Sequence, residues 1–457
     1  LVLSAVEVCS LKINKNKHMK NLKTNIYFKV GIIIFLMLIL MIPTSMVEGL
    51  IHERESVQAR AIEEVSSKWG NGQTISGPFI SIPFNKYVKR FNKKDSINEI
   101  IKLKEWAHFL PEELKISGTI SPEKRYRGIY EVVVYESNLK IQGSFDNLDF
   151  KKLDIDKKDV HFDKATINFG INDLKGIEQQ VAINWNNKDI SFNSGTATKH
   201  IIHSGINAVV PMRKDSVTNY VFSTEIDLKG SQYLYFTPVG KTTDIAINSN
   251  WNTPSFTGTY LPDERTISEE GFNSKWNILH LNRNYPQEWI GNKYEIESSS
   301  FGTDLLLPVD NYKKSYRVAR YAILFLVLTF ITFFFVEIMK KVFIHPIQYL
   351  LVGIAIIVFY TLLLSLSEHI KFNLAYIIAS ILTISLVSLY TISILKSKQI
   401  GFLIFGILLI MYSFIFTIIQ LEDYALLIGS LGMFTILCIV MYYSRKIDWY
   451  NIKLGTE

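Results

Sequence analysis

Long apolar runs lie towards both ends of the chain, and the stretch between them alternates. The first run is Ile26–Val47, uncharged from Val30 to Val47, with Pro43 near its far end. Five more follow: Val318–Ile338, Ile347–Leu366, Asn373–Leu395, Gly401–Gln420 and Tyr424–Tyr443. A helix crossing the hydrocarbon core needs about 20 mostly apolar residues. The pattern therefore predicts six membrane spans, at 26–47, 318–338, 347–366, 373–395, 401–420 and 424–443. Residues 1–25 and 444–457 are left as tails.

The period changes between the first and second spans. Val57, Ala61 and Val65 recur at helical spacing and Gly70-Asn71-Gly72 follows, which predicts a juxtamembrane helix over 48–70. Beyond it the period is two. Strands are predicted at Ile75–Val88, Leu114–Ile120, Ala165–Ile171, Val181–Trp185, Tyr220–Leu228 and Thr243–Asn248. Gly128–Phe145 reads as two more, with a turn near Ser137-Asn138. Residues 71–316 are expected to form a large, mostly antiparallel β domain, either a sandwich or a pair of β modules. The polar stretch Asn193–His203 is the expected seam.

Charge supports this division. Residues 49–316 hold 33 Lys/Arg and 34 Asp/Glu, leaving 16 Lys/Arg against 8 Asp/Glu in the rest. The net +7 thus belongs to membrane flanks, not to a face for nucleic acid. Lys12, Lys15, Lys17, Lys20, Lys23 and Lys29 precede the first span and predict an inside N-terminus. Lys340-Lys341, Lys396/Lys398 and Arg445-Lys446 then fall inside. Ser367–Lys371 and Leu421-Glu422-Asp423 fall outside with the β domain. Lys313, Lys314, Arg317 and Arg320 run against the bias, which a long translocated domain tolerates. The first methionine is Met19, so residues 1–18 are expected to be an upstream extension. The first span reads as an uncleaved signal anchor. Cys9 and Cys438 both lie outside the β domain, which is expected to fold without a disulfide.

Candidate chemistry is sparse. The chain contains no G-x-x-x-x-G-K-[ST], H-E-x-x-H or G-x-S-x-G. His200-x-x-His203 is the nearest approach to a metal pair; it would chelate on a helix and diverge on a strand. The expectation is no metal, no cofactor and no catalytic residue. His345 and the pair Glu368-His369 sit at opposite ends of one span, about 30 Å apart at 1.5 Å per residue, and cannot share a ligand. His345-Pro346 reads as a helix start and Glu368-His369 as an interfacial cap bonding loop backbone. No ionisable residue lies near the centre of a span, which argues against coupled transport. Gly353, Ser380, Gly406, Gly429 and Gly432 are candidates for close helix contacts. The inside loops are short, so a sensor would need a partner to pass a signal on.

Several stretches resemble the CreD family of bacterial inner-membrane proteins. In the membrane part they are Tyr321–Leu324, His345–Gly353, Leu364–His369, Ala425–Gly429 and Ile447–Tyr450. In the β domain they are Ser76–Pro83, Pro254–Gly258 and Gly271-Phe272-x-x-x-Trp276. The resemblance runs from about Met19 to Tyr450 and implies the inner membrane of Gram-negative bacteria, a periplasmic domain, and an association with envelope-stress and β-lactam responses under a two-component system. It implies no catalytic activity and no cofactor. The expected function is a non-enzymatic envelope protein, in contact with the lipid bilayer, whose β domain binds an envelope component or protein partner. The alternative is a membrane sensor or accessory subunit that relays periplasmic ligand state to a partner.

Overall fold

The first apolar run does not end where its hydrophobicity does. In the computed structural model, helix α1 continues unbroken from Ile26 to Trp69. Its 44 residues extend about 66 Å at 1.5 Å per residue, roughly twice the hydrocarbon thickness. The juxtamembrane helix expected at 48–70 is therefore the second half of α1. Between Val47 and Trp69 the only weak helix former of note is Gly49, and a single glycine costs a helix only about 1 kcal/mol. The stop comes at Gly70, whose φ of 153° few side chains tolerate. The structure describes residues 26–92, 97–146, 148–213, 219–305, 311–421 and 424–447. The expectations for residues 1–25, Glu422-Asp423 and 448–457 lie outside them.

Two compact units emerge, one of residues up to Val57 and from Val309 onward, the other Gln58–Pro308. In the first, α2 (Asn311–Ala319) precedes α3 (Ala322–Lys340), α4 (Pro346–Ser367), α5 (Phe372–Leu395), α6 (Lys398–Gln420) and α7 (Ala425–Ser444). Residues 311–316, assigned from sequence to the β domain, are thus the start of a helix that leads into the second span. Six helices among the described residues are long and apolar enough to cross a membrane. Phe325, Phe359, Tyr376 and Tyr412 form the aromatic centre of the bundle, with Phe325 and Tyr412 ring centroids 4.5 Å apart. Gly353 is a true close-contact glycine, since a Cβ there would lie 2.3 Å from Leu40 Cδ1. Gly432 likewise meets Phe414, whereas Gly406 and Gly429 face nothing within 4 Å and carry no helix contact. None of α7's residues is buried.

The second unit contains β1 (Gln73–Asn92), β2 (Ile97–Phe109), β3 (Glu113–Arg127), β4 (Tyr130–Phe145), β5 (Thr166–Ile171), β6 (Ala182–Trp185), β7 (Lys188–Ser191), β8 (Asn193–Ser194), β9 (Gly205–Val209), β10 (Tyr220–Ser231), β11 (Tyr233–Thr237), β12 (Thr242–Ser249), β13 (Pro254–Gly258), β14 (Glu264–Ser268), β15 (Gly271–Leu279), β16 (Glu288–Ile290) and β17 (Phe301–Leu305). Nine form one sheet, in the order β13-β17-β11-β1-β5-β9-β8, with β2 joining β1 to β16. Eight form the other, in the order β14-β15-β12-β3-β4-β10-β6-β7. All pairings are antiparallel except β1 with β11 and β3 with β12.

One hydrophobic core draws on both sheets, including Ile80, Ile82 and Phe301 from the first and Ile141, Phe145, Trp185, Phe222 and Trp276 from the second. This decides for a single two-sheet domain over two modules. The expected seam at Asn193–His203 holds the edge strand β8, and Ile201 and Ile202 insert into that same core. Trp185 stacks on Tyr220 at 5.3 Å and lies 6.0 Å from Phe145, so truncating it to alanine would cost about 3–5 kcal/mol. The turn expected at Ser137-Asn138 is instead at Gly128-Ile129, where Gly128 takes φ 61°, and β4 runs straight through 137–138. Residues 72–84 are all buried, because β1 is flanked by β11 and β5 over its first half.

Candidate functional site

Three clusters concentrate the chain's chemistry. The first is at one end of the membrane unit. Lys29, on the first turn of α1, pairs with Glu337 near the end of α3; they are 4% and 0% exposed. Lys29 Nζ also donates to the Ile344 carbonyl at 2.6 Å. Glu337 accepts from the Tyr349 hydroxyl at 2.9 Å and from the Ile344 amide at 3.2 Å. Sequence reading counted Lys29 only among the flank charges that set the orientation; in the structure it is buried. Every group in this cluster is satisfied by protein, so it joins α1, α3 and the start of α4. His345 caps α4 as expected: its Nδ1 accepts from the Ile347 amide at 3.3 Å, and Gln348 Oε1 accepts from the His345 amide at 2.9 Å.

At the other end of α4, Glu368 does not bond loop backbone, as its expected capping role required. Its Oε1 accepts from the Tyr312 hydroxyl at 3.0 Å and lies 3.8 Å from Arg54 Nε. Asn311 donates to the Ser367 carbonyl at 2.8 Å beside it. The amphipathic helix α2, absent from the sequence reading, supplies Tyr312 and Asn311, and α1 supplies Arg54. His369 is exposed and takes no part.

The second cluster is in the β unit. His200 and His203 lie on an irregular segment, neither helix nor strand. The structure brings His200 to His108 of β2 instead, with His108 Nε2 and His200 Nδ1 3.4 Å apart. On its other side His108 Nδ1 is 2.9 Å from Ser81 Oγ, because the β1–β2 register sets Ser81 opposite His108. Asn168 adds a donor to Ser81 Oγ at 3.3 Å. Burial, with His200 adding a smaller contribution, pulls the His108 pKa down to about 3, so the ring is neutral. A serine beside a histidine is a nucleophile–base arrangement in outline. Here Ser81 and His108 are both 0% exposed, and a substrate does not reach them. Among the described residues no group of three or more His, Cys, Asp or Glu gathers as a metal site. Sequence reading missed His108, since only the strand register brings it to Ser81 and His200.

The third cluster is a surface. Beyond Phe84 of β1, and before Ala107 of β2, these two strands pair only with each other. They form a two-stranded ribbon pinned at its base by the Phe84–Val160 bridge and a 3.2 Å contact between His161 Nε2 and Asn85 Oδ1. The register groups Tyr87, Lys89, Ile100, Lys102 and Lys104 on one face, and Lys86, Val88 and Leu103 on the other. Tyr87, Val88, Ile100 and Leu103 are 55%, 37%, 67% and 45% exposed among these lysines. The ribbon is a basic, partly apolar structure with two free edges.

A six-span helical bundle with a two-sheet β domain between its first and second spans defines a multi-pass membrane protein of the cell envelope. The chain belongs to the family described as Inner membrane protein CreD, which it matches over residues 25–450. It is 29% identical over 436 residues to Inner membrane protein CreD of Escherichia coli (strain K12), covering 95% of this chain and 96% of that one. The sequence resemblance and the six-span expectation agree with this membership. Among solved structures, an M1 zinc metallopeptidase from Deinococcus radiodurans matches with a TM-score of 0.19 and 8% identity. That match covers 37% of this chain and 38% of the peptidase, and carries no argument about fold or chemistry.

Proposed function

We propose that the protein is a non-enzymatic envelope protein that binds a negatively charged, partly apolar envelope component or protein partner through its β1–β2 ribbon. The β domain lies on the periplasmic side and both termini in the cytoplasm, an orientation supported by the lysines at the inside ends of the spans. The envelope-stress association implied by the family resemblance gives the setting. The observation that carries the reading is the ribbon itself. Lysines along free edges commonly serve to prevent strand pairing. Here they flank exposed Tyr87, Val88, Ile100 and Leu103, a combination that favours an acidic amphiphilic surface over simple solvation. The burial of Ser81 and His108 and the internal satisfaction of Lys29–Glu337–Tyr349 support a structural role for both.

A photocrosslinking residue at Tyr87 or Ile100, introduced in cells, tests this. Adducts at these positions, weakened by Lys102→Glu on the same face at normal protein level, are expected. The second reading, a relay to a membrane partner, draws on α1, a single helix from Ile26 to Trp69. Adducts confined to probes at Lys341 and Lys398 would replace the first reading with the second.

A further inference from the structure

A cavity of about 330 Å³ opens in the β domain between the segments 259–260, 282–285 and 293–299. Arg283 lines it and is only 7% exposed. Its guanidinium donates to the carbonyls of Tyr285 at 2.8 Å, Val239 at 3.2 Å and Gly240 at 3.3 Å, and to the Gln287 side chain. All four acceptors are neutral, and Nε is buried with no partner. A buried cation held only by neutral dipoles retains its whole charge in a medium that screens it poorly. A purely structural role would be a staple tying 283–287 to the 239–240 turn. It accounts for all four acceptors but not for the cavity, the orphaned Nε, or a second cation, Lys293, that lines the same cavity.

The remaining wall is aromatic and polar. Tyr260, Tyr285 and Tyr294 supply ring faces and Ser298 a hydroxyl; Glu295 contributes one opposing carboxylate. The Tyr260 and Tyr285 hydroxyls are already spent on the carbonyls of Asn282 at 2.7 Å and Pro238 at 3.0 Å, which fixes both rings as flat surfaces. Two cations lining one cavity together with rigid aromatic faces suit a small polar molecule carrying an anionic group. We propose that this cavity binds an oxyanion, a carboxylate or a phosphate borne by such a molecule, with Arg283 and Lys293 as its charge partners. The site is separate from the β1–β2 ribbon and stands without it.

Full-length protein in detergent is titrated calorimetrically with sodium phosphate and with sodium acetate, against sodium chloride at matched ionic strength. Saturable binding of either anion with a dissociation constant below about 10 mM is expected. Phosphate alone would assign a phosphate-bearing ligand, and acetate alone a carboxylate. Lys293→Glu, on an exposed residue that leaves the core intact, should weaken binding at least about tenfold. Arg283→Lys should do the same if it remains folded by circular dichroism. Ile100→Asp, on the ribbon, should leave anion binding unchanged. Absence of saturable binding by both anions, or wild-type binding by Lys293→Glu, overturns the proposal.

Discussion

Lys29 and Glu337 form an ion pair closed off from solvent, and the carboxylate of that pair has two further donors while the ammonium has one further acceptor. Removing one partner of a buried pair leaves the other charge uncompensated, at a cost of about 3–5 kcal/mol. Lys29→Met alone should therefore destabilise the solubilised protein strongly. Adding Glu337→Gln should recover much of the loss, because no stranded charge remains: the amide oxygen accepts from the Ile344 amide and the NH2 donates to the Tyr349 hydroxyl oxygen. Thermal unfolding in detergent measures both. A double variant no more stable than Lys29→Met would show that the pair is not the dominant interaction.

Alkaline phosphatase fusions test the orientation. Activity is expected after Gly72, Asn311 and His369, and none after Lys341, Lys398 and Lys446. An active fusion at Lys398 would reverse the assignment of the α5–α6 connection.

The β domain has its own two-sheet core and no cysteine, so a fragment of residues 58–305 should be soluble and β-rich by circular dichroism. Chelator and reductant should leave the spectrum unchanged. A spectrum that collapses with chelator would point to a metal at His200 and His203.

His108 gives this domain a defined pH dependence. Its folded pKa of about 3 lies below the unfolded value of about 6.5, so between these limits the unfolded chain binds the extra proton. Its contribution is fully present above pH 6.5 and is lost progressively as pH falls towards 3. Between pH 6.5 and 4.5 the loss should be about 2 kcal/mol by urea unfolding, and His108→Phe should flatten that slope. An unchanged slope in the variant would mean that other groups set it.

At the far end of α4, Glu368→Gln should cost no more than about 1 kcal/mol. The amide keeps the Tyr312 bond, and Arg54 is half exposed at 3.8 Å. His369→Gln should be neutral. Complementation of an envelope-stress phenotype, scored with protein abundance, checks both; full loss at normal abundance in both would call for an acid–base role.

The six spans and the strands β1, β3 to β6, β10 and β12 were legible because each rests on local periodicity, about 20 apolar residues in one case and alternation in the other, whereas the other ten strands were not read. The failures were long-range. Ser137 and Asn138 looked like a turn because small polar residues usually are. In the fold Ser137 donates to the Leu228 carbonyl at 2.8 Å, and Asn138 bonds Glu225 and Asp227 across to β10. Lys29 read as a flank charge since nothing near it in sequence announces Glu337. His108 lies within an unremarkable strand, and Arg283 within a loop; only tertiary register gives either its neighbours.

The placement of β1 sets a timetable for synthesis. Gln73 pairs with Leu234, Ser249 with Ile120, and Trp289 with His108, so early strands stay incomplete until late ones arrive. At about 5–20 residues per second, the ribosome needs roughly 10–30 s after β1 emerges to deliver its parallel partner β11. Throughout that interval Ile75, Phe79, Ile80 and Ile82, each at most 1% exposed in the finished domain, can pair with β2 and β5 but lack β11 along the other edge of β1. The core between the two sheets therefore closes only after β11, β12 and β16, from the second half of the domain, have joined β1, β3 and β2 from the first.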